Sequence, residues 1–190
     1  PQTQDNPVYL KDYRVSDYLI DTTRLHFDLK DDSTVVTSSL QIRKNPEGNA
    51  ACQTLVLQGV GLELRNLSIN GKDLDKPSYA VDKENLTIHN VPANFTLSCV
   101  TSISPEENTS LLGLSQSQGL YCTQCEPQGF RKITYYLDRP DVLSEFTTTI
   151  VADKERFPVL LSNGNLVDQG TIDNRLDTNH QSLRHWATWH

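Results

Sequence analysis

Apolar and polar positions alternate along this chain in short runs, and turn residues separate the runs. Leu25, Phe27 and Leu29 alternate with Arg24, His26 and Asp28, the two-residue period of a half-buried strand. After the turn Lys30-Asp31-Asp32-Ser33, a second strand is predicted over residues 34–43, with Val36, Ser38, Leu40 and Ile42 on one face. Asn45-Pro46-Glu47-Gly48 is a turn signal, and Asn70-Gly71 suits a tight hairpin because both residues tolerate positive φ. Further strands are predicted at 54–57, 62–69, 79–81, 86–89, 95–103, 130–135, 146–151, 159–162 and 184–189. One helical turn is predicted between Pro140 and Phe146, with Asp138 as its cap and Pro140 in its first turn. The expected fold class is all-β, a saddle-like or sandwich-like array of many short, mostly antiparallel strands.

Composition narrows the classes of function. A chain of 190 residues can bury a core without a disulfide or metal staple. With 36% hydrophobic and 22% charged residues it reads as a globular domain rather than a disordered one. The net charge of −7 argues against nucleic-acid backbones and anionic lipid surfaces as partners. No apolar run approaches the ~20 residues of a spanning helix, and Pro1-Gln2-Thr3-Gln4-Asp5 does not read as a signal peptide. Four cysteines are far fewer than a disulfide scaffold carries, so free thiols in a reducing, cytoplasmic setting are expected, with a Cys52–Cys99 bridge still open. No repeat or linker is visible, so residues 1–190 are expected to form one domain. The aromatic strand that ends at His190 reads as a chain cut at a domain boundary.

Candidate chemistry is sparse. H-E-x-x-H, G-x-S-x-G, the P-loop and G-x-G-x-x-G are all missing from the sequence. His26, His89, His180, His185 and His190 lie far apart or at intervals that share no helical face well, so they read as ordinary surface or core residues. Cys122-Thr123-Gln124-Cys125 has the spacing of half a zinc or redox site, but a structural zinc site needs four ligands and a redox pair sits at a helix start. Gln124 and Glu126 flank Cys125, and in an extended segment they face the same side. A carboxylate beside an amide can receive the charged end of a peptide, or it can simply be part of a solvated loop. Sequons at Asn66, Asn85, Asn94 and Asn108 would carry glycans only in a secreted protein.

The segment from Leu120-Tyr121-Cys122-Thr123-Gln124-Cys125-Glu126-Pro127 through Gly129-Phe130-Arg131 to Tyr135-Tyr136-Leu137-Asp138-Arg139-Pro140 closely resembles the N-terminal domain of the bacterial aminopeptidase N family of gluzincin-type zinc exopeptidases. Phe146-Thr147-Thr148, Leu160-Leu161-Ser162-Asn163-Gly164-Asn165 and the opening Tyr9-Leu10-Lys11-Asp12-Tyr13-Arg14 continue the likeness, while residues 45–100 match mainly in pattern. The resemblance implies a saddle-like β domain packed against a thermolysin-like catalytic domain, with a Gln-x-Glu loop reaching into the cleft. It implies that Glu126 binds the free α-amino group of a peptide and that Gln124 lines the pocket for its first residue. It assigns zinc, the general base and the remaining catalytic residues to a catalytic domain beyond residue 190, so this chain alone is expected to bind no catalytic zinc and to cleave nothing. Cys122 and Cys125 become packing residues around the loop, and Arg131 and Asp138 become polar residues that hold it. The expected partners are the protein's own catalytic domain and peptide N-termini, in a monomer.

Two other readings compete. A secreted, glycosylated β-sandwich binding module predicts glycan on the sequons and a disulfide at Cys52 or Cys99. A metal or redox module on Cys122 and Cys125 lacks two further ligands at suitable spacing.

Overall fold

The computed structural model describes residues 9–30, 33–172 and 183–190. Asp31 and Asp32 of the predicted turn, His180 and the opening Pro1-Gln2-Thr3-Gln4-Asp5 lie outside them. The described residues are all-β, and their helical geometry is confined to 3-10 turns at Leu10–Asp12, Lys76–Ser78, Pro105–Glu107 and Phe130–Lys132. In chain order the strands are β1 (Tyr18–Leu29), β2 (Thr34–Lys44), β3 (Leu55–Gln58), β4 (Glu63–Ile69), β5 (Lys72–Asp73), β6 (Tyr79–Val81) and β7 (Asn85–Ile88). They continue with β8 (Asn94–Ile103), β9 (Gly113–Ser117), β10 (Leu120–Gln124), β11 (Glu145–Asp153), β12 (Leu166–Ile172) and β13 (Arg184–Trp189).

Among the described residues, one sheet has eight strands in the order β12-β13-β11-β1-β2-β8-β4-β5. A three-stranded sheet has the order β3-β7-β6, and β9 pairs with β10 as a two-stranded ribbon. Parallel pairing occurs between β1 and β11, and the other strand pairs are antiparallel. The three-stranded sheet covers one end of the large sheet. Leu55, Leu57, Leu86 and Ile88 meet Ile20, Leu40, Ile42, Phe95 and Leu97 there in one apolar cluster. The ribbon covers the other end, where Leu114 joins Leu25, Phe27, Val36, Ile103 and Ile133. Leu40, Ile42, Leu57, Leu86, Ile88 and Leu97 are 0% exposed, and each such side chain contributes ~1.5–3 kcal/mol by leaving water.

The two-residue period holds where it was predicted. Val36, Ser38, Leu40 and Ile42 are all buried on one face of β2. Ser38 can sit among apolar neighbours because its Oγ lies 2.9 Å from the Thr134 hydroxyl. On β1 the buried positions run Tyr18 and Ile20, then Thr23, Leu25 and Phe27. A bulge between Ile20 and Thr22 makes this change of phase and returns the apolar face to the core. Asn70 and Gly71 have φ of 51° and 77°, as a tight hairpin between β4 and β5 requires.

Three expectations need correction. Residues 140–146 are not helical: Val142 N–H donates to Arg139 C=O at 3.3 Å, closing a turn with Pro140 second in it, and β11 starts at Glu145. Pro140 sets φ for that turn, and the Asp138 carboxylate is taken by Arg131 instead of a helix end. Residues 130–135 are a 3-10 turn followed by a buried irregular run, because their backbone groups pair within the turn, with the Thr101 hydroxyl and with Val60 instead of a neighbouring ladder. Residues 159–162 have no strand partner, and Val159 and Leu161 stand 68% and 70% exposed. β12 and the β9–β10 ribbon, whose turn at Gln118-Gly119 has φ of 50° and 80°, lie outside the predicted strands.

The parallel seam is held by charge as well as by its ladder. Arg184 on β13 stands 2.6 Å from the Asp28 carboxylate on β1, and its Nη2 donates to Leu29 C=O and Val151 C=O. Lys30 adds a second pair to Asp28 at 3.0 Å. Burial alone would raise the Asp28 pKa, but hydrogen bonds and charge from Arg184 and Lys30 outweigh it and hold the carboxyl below its ordinary value. A carboxyl depressed on folding adds stability above its unfolded pKa and loses it as pH falls through the folded one. Asp28→Asn should therefore destabilise the domain by about 1–3 kcal/mol at neutral pH. In thermal denaturation the difference from the parent should shrink progressively below about pH 4; a difference that stays constant into acid would contradict this account.

Candidate functional site

The ribbon carries the residues that the sequence singled out. Register places Tyr121 opposite Gln116, Cys122 opposite Ser115 and Gln124 opposite Gly113. Gly113 has φ of 78°, and a Cβ there would stand 2.6 Å from the Lys132 Cβ, so β9 starts against the segment that follows the loop. Tyr121 packs against Phe157 at a tilt, with ring centroids 5.2 Å apart.

β10 ends at Gln124, and the chain turns instead of continuing extended. Gly129 N–H donates to Cys125 C=O at 2.7 Å and closes a loop over residues 125–129. The Glu126–Pro127 bond inside it is cis. Only glycine fits at 129, because a Cβ would lie 2.5 Å from Gln124 O and 2.8 Å from Cys125 Cα. Gln124 and Glu126 are thus brought together by a turn, which corrects the extended arrangement expected from alternation. The Gln124 amide donates to the Glu126 backbone carbonyl at 3.4 Å. Both side chains are exposed, and the Glu126 carboxylate has no hydrogen bond or ion pair among the described residues.

Below the loop the partners of Arg131 and Asp138 become visible. Arg131 donates to the Asp138 carboxylate from its backbone N–H at 3.2 Å and its Nε at 2.7 Å, and to Asp138 C=O from Nη2 at 3.1 Å. The pair is largely enclosed, with side-chain exposure of 22% for Arg131 and 10% for Asp138. Asp138 N–H donates to Gln58 Oε1 at 3.1 Å, a partner with no signal in the sequence. Phe130 packs edge-on against Tyr136 and Phe146, at 4.7 and 5.8 Å, and seals the far side.

The two cysteines of the loop differ. Cys125 packs against the apolar cluster under the ribbon. Burial, with the Asp138 charge, pushes its thiol up to about 11. Cys122 is exposed, which corrects its expected packing role: the ribbon has nothing described over that face. All four cysteines are free thiols, so Cys52 and Cys99 are not bridged. Among the described residues no three His, Cys, Asp or Glu side chains converge to hold a metal. Zinc therefore finds no fitting donor set on them. The Asn108 sequon is already engaged, since its Nδ2 donates to Leu112 C=O and Leu114 C=O at 2.7 and 2.8 Å.

These elements define an all-β fold in which the Glu126 carboxylate, without a partner among the described residues, stands on the loop that follows a two-stranded ribbon. A model of the peptidase M1 N-terminal domain matches residues 13–188. Aminopeptidase N of Escherichia coli strain K12 is 46% identical over 98% of the chain, and that of Caulobacter vibrioides is 44% identical over 96%. In each case the chain spans 20% of the relative's length. The crystal structure of Legionella pneumophila aminopeptidase A in complex with aspartic acid aligns with a TM-score of 0.86 at 32% identity, over 95% of this chain and 20% of that one. An M1 zinc metallopeptidase from Deinococcus radiodurans, 15% identical with a TM-score of 0.69 over 91% of this chain and 38% of that one, shares the fold. The chain belongs to the peptidase M1 N-terminal domain family.

With thiol-alkylating reagent near pH 8, Cys122 should react first and Cys125 should stay protected in the folded chain. Peptide mass spectrometry reads the order; labelling of Cys125 as fast as Cys122 would refute the packing described.

Proposed function

We propose that residues 1–190 form the N-terminal β domain of a longer zinc aminopeptidase, and that the 125–129 loop anchors the α-ammonium group of the peptide substrate. The observation that carries this reading is the Glu126 carboxylate, exposed and without a described partner on a loop tied at both ends. An ammonium group offers such a carboxylate the charge-assisted hydrogen bonds that it lacks. The Gln124 amide, held to the Glu126 backbone carbonyl, then lines the pocket for the first residue. The aminopeptidase names of the relatives support the reaction class.

In this arrangement the domain supplies distance rather than chemistry. A carboxylate at a set position holds the amine end, so one peptide bond alone reaches the catalytic metal. Zinc and the general base belong to a catalytic domain outside these residues, and the isolated chain neither binds catalytic zinc nor cleaves peptides. The exposed apolar side chains of Leu120, Phe146, Val159, Leu161, Leu166 and Val167 are the surface on which that domain packs. The four free thiols support a reducing, cytoplasmic setting.

Glu126→Ala in the full-length enzyme should lower kcat/KM roughly 10- to 100-fold, the cost of one lost charge-assisted contact. Zinc content should stay at the parental level. Steady-state kinetics with metal analysis checks both; unchanged kinetics would remove Glu126 from the site.

A further inference from the structure

Gln58 ends β3, where Leu55 and Leu57 point into the core and the alternate positions point away. Its backbone exchanges two hydrogen bonds with Tyr136, at 2.8 and 3.0 Å, and so forms a bridge between the three-stranded sheet and the run that follows the loop. Its side chain does something separate, accepting the backbone N–H of Asp138. Asp138 is then held from both sides, by Gln58 through its backbone and by Arg131 through its carboxylate and carbonyl. Arg131 C=O accepts from Val60 N–H at 2.9 Å, which ties the same turn again to the chain just beyond β3. From Arg131 the path back to Glu126 is short: the 3-10 turn, then Gly129 with its hydrogen bond to Cys125.

We propose that Gln58 is a positioning residue for the Glu126 carboxylate, acting through Asp138 and Arg131. This rests on the anchoring role of Glu126 proposed above. Losing the Gln58 acceptor leaves the partly buried Asp138 N–H unpaired, and the Asp138–Arg131 fork turns to find another partner. Gly129 is packed too closely against Gln124 and Cys125 to admit even a Cβ, so a shift of the fork passes to Glu126 instead of being absorbed. Small misplacements of an orienting group carry large rate costs even when they originate away from the chemistry.

The test is made in the full-length enzyme with a substrate bearing a free α-amino group and its desamino analogue. The readout is the ratio of the two kcat/KM values, beside Tm and zinc content. Gln58→Met keeps the volume of the side chain and removes its acceptor; Gln58→Glu keeps an acceptor at the same reach. Gln58→Met should reduce the preference for the free amine roughly tenfold or more, with zinc retained, and Gln58→Glu should restore most of it. Asp138→Asn, which weakens the fork from the other side, should reproduce the loss and serves if Gln58→Met fails to fold. A lowered Tm with an unchanged amine preference in Gln58→Met, or in Asp138→Asn where that one stands in, would make these residues merely structural and overturn the proposal. Glu126→Ala separates the two levels. If it abolishes the preference while the Gln58 and Asp138 variants keep it, only the positioning role falls. If Glu126→Ala keeps the preference, the anchoring role falls and the positioning role falls with it.

Discussion

A buried backbone that belongs to no ladder must still satisfy its polar groups, and residues 133–137 face that constraint throughout. Ile133, Thr134, Tyr135, Tyr136 and Leu137 are all buried, yet they form no strand beyond a single bridge to Gln58. Their partners are borrowed from both layers. Thr101 on β8 donates its hydroxyl to Ile133 C=O, Thr134 meets Ser38 on β2, and Tyr136 exchanges backbone bonds with Gln58 on β3. Gly59 makes room for the Tyr135 ring, because a Cβ there would come within 2.3 Å of it. The run therefore locks into one position, and it fixes the large sheet, the small sheet and the loop relative to one another.

That position explains the loop. Residues that leave the loop at Gly129 enter the 3-10 turn and then the locked run, so the exit of the loop is set by the core. Its entry is set by β10, whose pairing with β9 is short and whose outer face is exposed. A two-stranded ribbon is marginal by itself. Here Leu114, Cys125 and Tyr121 anchor it to the apolar cluster, and Tyr121 adds the ring contact with Phe157. The Arg131–Asp138 pair lies where these two supports meet. Enclosure of that pair makes removal of one partner more costly than any gain the pair itself brings, which is how such pairs specify geometry more than they add stability.

Under the proposed anchoring role, what the chain contributes is geometric. Its described residues bring together no metal ligands, but they expose the Glu126 carboxylate on a short loop, with the Gln124 amide at the loop's entry, and the foundations of that loop reach into two sheets. Packed elements below and an exposed tip above suit the proposed role of holding a peptide end.

Alternation determined much of this fold directly. The strands around Leu25-Phe27, Val36-Ser38-Leu40-Ile42 and residues 95–103 were legible because one sheet face is buried and the other is wet, and that asymmetry writes a period of two. The Asn70-Gly71 turn was legible because few residues tolerate positive φ. Gln124 and Glu126 were legible as candidates, by residue type and by resemblance. Their arrangement was not, because the turn at Gly129 depends on a Cβ clash that exists only once the loop has closed. Residues 130–135 were misread as a strand because burial of Ile133, Thr134 and Tyr135 produces the same apolar composition as a buried strand. Order of the strands, the bulge in β1, the Asp28–Arg184 seam and the partnership of Gln58 with Asp138 join residues distant in sequence. Side-chain periodicity reports only what each segment buries, never against which partner, and so these were decided by the tertiary structure alone.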